Sequence, residues 1–570
     1  AYRRQRQMCI RDSGPVRGPG CARRCVSSAE RLTTESFARI GVHAPLEPNV
    51  LPLFDITVAK CYAFVGCRLP NVDTHEASAW VQVPRSIDAR AAYHYAREGI
   101  KKKPRRAHTG RFLFYRRAYA RNTRRVVAVR VSSDADAAPG WHRAGNPLSQ
   151  HRVLGGGAPT LFLEYRLADE SSAEDGLTEL DVQYGTHVQP PGYERVAVIS
   201  PLQRGPKSSI PRVSLLARRR VYRRPPTPAL TFRENGTFRI LQIADLHFSV
   251  LEAACRDVVD VHACASHNDT LALVNRWLEE ERPDVVAFTG DQLNGQHSSW
   301  DEQSIVPTWL EPVIARGIPW LPVFGNHDSE SGLWTRAEQM RMLSLYPYAL
   351  VRPDPPHVHG VGNFEVPAIS PRADRQELLT LWCLDSGSHP PFSLLRPWQH
   401  MLYDWVHSSQ TAWMVETQRH KALGAWPYGA PQGQRRPPGI VFVHIPLQEA
   451  FDPVDVENGR ELIVGIREEV FRRLGGQGRR GLFDAELAAR DAQTPGVRLY
   501  IHGHMHNNAD CRRVRGVWIC FGGGASYAAY GKVGFARRVR VYEVSHWGEA
   551  ISSWQRLEGV VGRVEETTLS

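Results

Sequence analysis

Five short segments of this chain carry the residue types that bind borderline and hard metal ions. They are Asp245-Leu246-His247, Gly290-Asp291, Gly325-Asn326-His327-Asp328, the lone His444, and Gly503-His504-Met505-His506. Each follows directly on a short apolar run, and an extended segment repeats every two residues, so Asp245 and His247 face one way. Taken singly, each has a plainer reading. An Asp-x-His is commonly surface or capping chemistry, and a histidine on an apolar strand is commonly a satisfied core residue. Five such segments in one domain, each at a strand terminus, point instead to a shared metal centre. Histidine and carboxylate donors suit Zn, Fe or Mn. Two such ions about 4 Å apart clamp a phosphoryl group and lower the pKa of a water between them.

The elements that have to hold these residues are legible from periodicity. Buried strands are expected at 284–289, 319–324, 378–384, 440–444 and 497–502, with a first strand over Phe238–Ala244. A helix after Asp269 places Leu271, Val274, Trp277 and Leu278 on one face, and Pro283 ends it. Strands alternating with helices make an α/β layered domain, and open α/β sheets carry ligands at the carboxyl edge of their strands. This domain is expected over residues 230–560. Residues 49–202 read as a smaller β-rich domain, a sandwich, because short β-branched runs alternate with turn residues. Residues 203–229, with Arg218-Arg219-Arg220 and Pro225-Pro226, read as a linker, and 1–48 as disordered basic chain. Arg435–Pro438 and Gly475–Arg480 read as surface insertions, and Lys101–Arg106 as a solvated basic loop.

Composition narrows the function class. The chain has 570 residues and a formal net charge of +12, but residues 1–235 hold 39 Lys+Arg against 20 Asp+Glu. Residues 236–570 hold 32 against 39, so the half with the candidate ligands is mildly acidic and nucleic acid is disfavoured as its partner. No run of eighteen apolar residues is present, so no transmembrane helix is expected. The chain opens on Ala1 rather than Met and reads as a piece of a longer protein, with Ala1–Ser13 an adapter-like tail. Cys511 and Cys520 face each other across an expected hairpin turning at Arg515-Gly516, and Cys255 and Cys264 flank a short loop; each pair is either a disulfide or two free thiols. These pairs, with the sequons at Asn235 and Asn268, point toward a secretory or vacuolar setting.

The ligand segments, together with Thr289–Gly295, Gly360–Asn363, Leu384-Asp385-Ser386, His444–Leu447, Gly481–Asp484 and Gly522–Gly524, resemble the calcineurin-like metallophosphoesterase superfamily. The resemblance is to the branch related to purple acid phosphatases that includes the fungal dosage-dependent cell-cycle regulator phosphatases. It covers about residues 230 to 545 and implies a layered α/β metallophosphoesterase fold, β-sheets flanked by helices. It further implies two divalent or trivalent ions (Mn, Fe or Zn), one on Asp245, His247, Asp291 and His506, the other on Asp291, Asn326, His444 and His504. Asp291 would be shared and would hold a bridging hydroxide nucleophile. Asn326 and His327 would bind substrate, with His327 the proton donor to the leaving group and Asp328 orienting it by hydrogen bond.

Two departures from the pattern stand out. The tyrosine that purple acid phosphatases place three residues after the shared aspartate is Asn294 here, so the tyrosinate–iron chromophore is not expected. Met505 stands where relatives often have Asp, and it is expected to be structural. The function expected is phosphoric monoester hydrolysis, with a phosphoprotein as candidate substrate. The alternatives are a phosphodiesterase or nuclease on the same metal pair, or a non-catalytic phosphate-binding scaffold. Loops 352–363, 425–438 and 522–532 are expected to frame the site, with Tyr527, Tyr530 and Lys532 as candidate substrate contacts.

Overall fold

The computed structural model describes residues 50–62, 66–70, 79–89, 110–118, 124–148, 160–169, 171–172, 174–200, 203–204, 209–330, 334–389, 402–426, 428, 433–470 and 476–569. The expectations for residues 1–48 and for Lys101–Arg106 lie outside the described residues, as does part of loop 425–438.

Two sheets packed face to face form the centre of the molecule. The strand Phe238–Ile243 pairs in parallel with Val285–Thr289, which pairs in parallel with Trp320–Val323. On its other side it meets Arg538–Ser545 in antiparallel register, and Ala550–Leu557 and Val564–Thr568 complete six strands. The second sheet has eight strands, and at its middle Glu377–Leu384, Gly439–Val443 and Val497–His502 run parallel. All five strands expected from the apolar runs are present to within a residue at each end. The alternation that defines them decides the layers. Phe238 and Ile240 join the core between the sheets, while Leu241 and Ile243 point to the outer core under the helices Ser266–Glu281 and Glu302–Ala315. The helix Ser408–His420 covers the outer face of the eight-stranded sheet through Met414. The whole is a mixed α/β fold, two packed sheets flanked by helices.

The region before it is built of small sheets, with four strands around Leu53–Tyr62 and three around Phe162–Ala168. Part of the expected linker is a strand. Val213–Arg218, inside 203–229, is the central strand of a three-stranded sheet between Glu179–Tyr184 and Glu194–Ser200, and Val213, Leu215 and Ala217 are buried. Arginine and proline crowding on either side masked a strand whose own residues, Val213-Ser214-Leu215-Leu216-Ala217, are apolar. This region also shares one continuous core with the outer helices of the α/β domain. Arg85 ties the two together, with Nη2 2.6 Å from Asp181 and Nη1 3.1 Å from Asp301. Burial costs such ions their hydration, which only paired partners return. His187 adds a neutral link, with Nδ1 3.0 Å from Thr308 Oγ1 and Nε2 3.1 Å from the Val250 carbonyl.

Of the expected insertions, Gln477 is buried and donates through Nε2 to the Ile445 carbonyl at 3.0 Å, so its segment braces the loop after His444. Disulfides join Cys255 to Cys264 and Cys511 to Cys520, and a third, not anticipated, joins Cys61 to Cys67.

Candidate metal centre

The backbone leaves the strands abruptly where the ligand residues begin. Asp245, His247, Asp291 and His504 all have positive φ, between 50° and 73°. Non-glycine residues pay about 1–3 kcal/mol for such a conformation, and it persists where the surroundings fix it, typically at functional sites. Two glycines make the crowding possible. A Cβ on Gly290 would stand 2.2 Å from His444 Nδ1, and one on Gly325 would stand 2.1 Å from Asp291 Oδ1.

Two groups of ligand atoms result, each within 4.8 Å: Asp245, His247 and His506, and Asp291, His444 and His504. Asp291 faces both. Its Oδ2 is 3.6 Å from His247 Nε2 and 3.2 Å from His444 Nε2, while its Oδ1 accepts from the His327 amide at 2.8 Å. Asn326 Oδ1 approaches His444 Nε2 at 3.2 Å, and Asp245 Oδ1 approaches His506 Nε2 at 3.3 Å. All seven residues expected as ligands are thus drawn to one place from five strand ends.

The remaining ring nitrogens explain the orientation. His444 Nδ1 is held 2.9 Å from the Thr289 carbonyl, His506 Nδ1 2.8 Å from the Tyr530 carbonyl, and His247 Nδ1 3.3 Å from Asn294 Oδ1. In each case Nε2 is left facing the carboxylates, the arrangement by which outer hydrogen bonds fix a metal-binding imidazole. His247 Nε2 is buried with no hydrogen-bond partner, a position that a bound cation would satisfy. The donor set of imidazole, carboxylate and amide oxygens therefore fits two borderline ions. Burial pushes His247 and His504 down to about 3, keeping their lone pairs free. Burial alone would raise the Asp291 carboxyl, but His444, His327 and His247 outweigh it and hold it well below the usual carboxylate range.

Asn294 takes a role that the sequence did not reveal. Its amide oxygen orients His247 and its Nδ2 donates to Ser298 Oγ at 2.7 Å. Met505 is buried, and its sulfur accepts from Asn508 Nδ2 at 3.5 Å, a packing role as expected.

Asp328 is corrected. It does not reach the His327 ring: its carboxylate accepts the backbone N–H groups of Asp291, Leu293 and Gly325, at 2.9, 2.9 and 2.7 Å, and so stitches two ligand loops together. Glu330 orients His327 instead, with Oε2 2.5 Å from Nδ1. Burial works against a charged His327, but the Glu330 hydrogen bond and the Asp291 charge raise it to about 9. The only hint in the sequence was the three-residue spacing of His327 and Glu330.

The candidate substrate contacts divide. Tyr530 stacks on the His506 ring at 3.8 Å between centroids and supports that imidazole. Tyr527 and Lys532 are corrected, because they turn to Glu558 and Glu468, at 2.5 and 2.8 Å, and line a separate cavity of about 450 Å³. Tyr403, not anticipated, sets its ring edgewise on His504 at 4.5 Å.

The calcineurin-like phosphoesterase family matches residues 238–508. A relative from Arabidopsis thaliana, "Probable inactive purple acid phosphatase 14", is 32% identical over 354 residues, covering 58% of this chain and 82% of its own. "Phosphatase DCR2" from Saccharomyces cerevisiae is 32% identical over 344 residues, covering 57% of this chain and 54% of its own. Among solved structures, a dimetal phosphatase from Danio rerio aligns over 59% of this chain and 99% of its own, at 15% identity and a TM-score of 0.38.

Proposed function

This chain belongs to the calcineurin-like phosphoesterase family, and from that premise we propose that it is an active dimetal phosphatase hydrolysing phosphoric monoesters. The observation that carries the reading is Asp291 Oδ2, set between His247 and His444 with every other expected donor present around it. Some relatives similar in sequence are named inactive, but this chain carries a complete donor set of its own.

Asp245, His247, Asp291 and His506 would hold one ion, and Asp291, Asn326, His444 and His504 the other. Two such ions, when bound, clamp a phosphoryl group, acidify a water and offset charge on the leaving oxygen. The chain's own part is positional. Asn294, Tyr530 and Thr289 fix the three imidazoles, and Asp328 keeps the loops of Asp291 and Asn326 in register. His327, held at Nδ1 by Glu330, keeps Nε2 available to donate a proton to the leaving-group oxygen. The acidic balance of this half favours a phosphorylated protein over nucleic acid as substrate, and three disulfides favour an oxidising compartment.

The test compares p-nitrophenyl phosphate with its bis ester, on protein stripped by chelator and resupplied with Mn, Zn or Fe. Metal-restored turnover of the monoester in preference to the diester is expected. Turnover of the diester alone would replace the reading with a phosphodiesterase, and no turnover of either with any metal would sink it.

A further inference from the structure

One tyrosine beside the dimetal centre has a hydroxyl that the fold leaves unused. Tyr403 sets its ring edgewise on His504, at 4.5 Å between centroids and 89° between planes, and stacks on the exposed His389 ring at 4.8 Å and 25°. His504 shares its ligand group with Asp291 and His444. Burial raises the Tyr403 phenol to about 12, and the charges of Asp291 and Glu330 add to that shift. One of these carboxylates faces both ligand groups and the other holds the His327 ring, so the phenol lies within electrostatic reach of both.

The neighbouring tyrosines are already engaged. The Tyr530 hydroxyl lies 3.1 Å from Glu469 Oε2, and the Tyr527 hydroxyl 2.5 Å from Glu558 Oε1. The Tyr403 hydroxyl has no hydrogen-bond partner among the described residues, although the residue is half-buried. A phenol is a donor at neutral pH. A phosphoric monoester at the dimetal centre presents several oxygens, and hydrogen bonds to ionised phosphoryl oxygens are the strong kind.

The segment that carries this hydroxyl is pinned to the ligand loops. Gln477 pairs with Tyr403 in an isolated parallel bridge, accepts the Val406 N–H through Oε1 at 3.0 Å, and donates through Nε2 to the Ile445 carbonyl at 3.0 Å. Its own backbone N–H donates to the Pro446 carbonyl at 2.8 Å. One buried glutamine thus fixes Tyr403 relative to the loop after His444. The stack on His389, whose Nδ1 is 3.2 Å from the Leu402 carbonyl, fixes the ring. A donor held this way loses little freedom when its partner arrives.

We propose that the Tyr403 hydroxyl donates a hydrogen bond to a non-bridging phosphoryl oxygen of the bound monoester, as a substrate-binding residue on the His504 side of the centre. The proposal rests on the dimetal phosphatase reading and adds to it a contact from a segment that carries no metal ligand. Inorganic phosphate, the product, has the same oxygens and takes the same bond.

Tyr403→Phe tests it, because it keeps the ring and its packing on His504 and His389 and removes only the hydroxyl. On full-length, metal-loaded protein, KM for p-nitrophenyl phosphate and the inhibition constant of inorganic phosphate should both rise about tenfold to a hundredfold. Metal content by elemental analysis and thermal unfolding should match wild type. Unchanged KM and unchanged phosphate inhibition overturn the proposal. So does a loss of bound metal in Tyr403→Phe, which would make the hydroxyl a support for His504 rather than a contact to substrate. If wild type binds metal but turns over no ester, the phosphatase reading fails by itself. Calorimetric titration of both metal-loaded proteins with inorganic phosphate then decides for Tyr403: binding about tenfold weaker in the variant supports the contact, and equal or absent binding in both sinks it.

Discussion

Glu330 Oε2 lies 2.5 Å from Nδ1 of His327, while Asp328, the carboxylate next to that histidine in sequence, faces the backbone behind it. The two acids therefore have separable duties, one toward the reacting proton and one toward the loops.

Glu330→Gln should lower turnover of p-nitrophenyl phosphate by at least about tenfold with metal content unchanged, and His327→Ala by about a hundredfold or more. Steady-state kinetics with elemental analysis decides it. Full activity in Glu330→Gln would show that His327 needs no orienting partner.

Asp328→Ala should act on stability. Three buried backbone N–H groups lose a charged acceptor, so unfolding in urea should require about 3 kcal/mol less, or lower still. A variant that keeps wild-type stability but loses activity would restore the discarded catalytic role.

Asp291→Ala should abolish turnover and reduce bound metal, because its Oδ2 faces both ligand groups. Asn294→Ala should be milder, weakening metal binding about tenfold to a hundredfold by freeing the His247 ring. Iron-loaded wild type should show no strong visible absorption, since no tyrosine stands at position 294. A purple iron form would contradict the assignment of Asn294.

The join between the β-rich region and the α/β domain should weaken in acid. Burial pushes His187 down to about 4, from an ordinary value near 6.5, with the Val250 and Ser249 backbone and Asp301 opposing that shift and Arg195 adding to it. The folded imidazole is neutral, so as pH falls through about 6.5 the unfolded chain gains a proton that the folded chain refuses. Its contribution, about 3 kcal/mol, is complete above that pH and is lost by about pH 4. His267 is also pushed down, to about 3, so the difference between wild type and His187→Gln isolates the effect. Urea unfolding at pH 7 and 4.5 should show wild type losing more stability than the variant.

Replacing Cys511 and Cys520 by serine should cost about 2–3 kcal/mol, the loop-closure value for so short a span. The two cysteines sit directly opposite in the hairpin Cys511–Val514 and Val517–Phe521, so local pairing should survive and thermal unfolding should register the loss.

Much of the centre was legible because its ligands follow buried strands. An apolar run that ends within two residues of an aspartate or histidine announces both the strand and the point where a side chain leaves it: Phe238–Ile243 runs into Asp245, Val285–Thr289 into Gly290-Asp291, and Val497–His502 into Gly503-His504. The strand Val213–Arg218 did not, because flanking arginines and prolines imitate a linker and only its neighbours in space reveal its burial.

What the sequence determined by itself is the donor chemistry: histidine, aspartate and asparagine at strand ends, and asparagine in place of tyrosine at 294. What only the tertiary structure decided is which neighbour holds each donor. Glu330 rather than Asp328 meets His327, and Tyr530 backs His506 while Tyr527 turns to Glu558. Strand periodicity is local and survives in one dimension. A hydrogen bond's direction depends on the left-handed turns after each strand and on the packing of two sheets, which no single stretch of sequence contains.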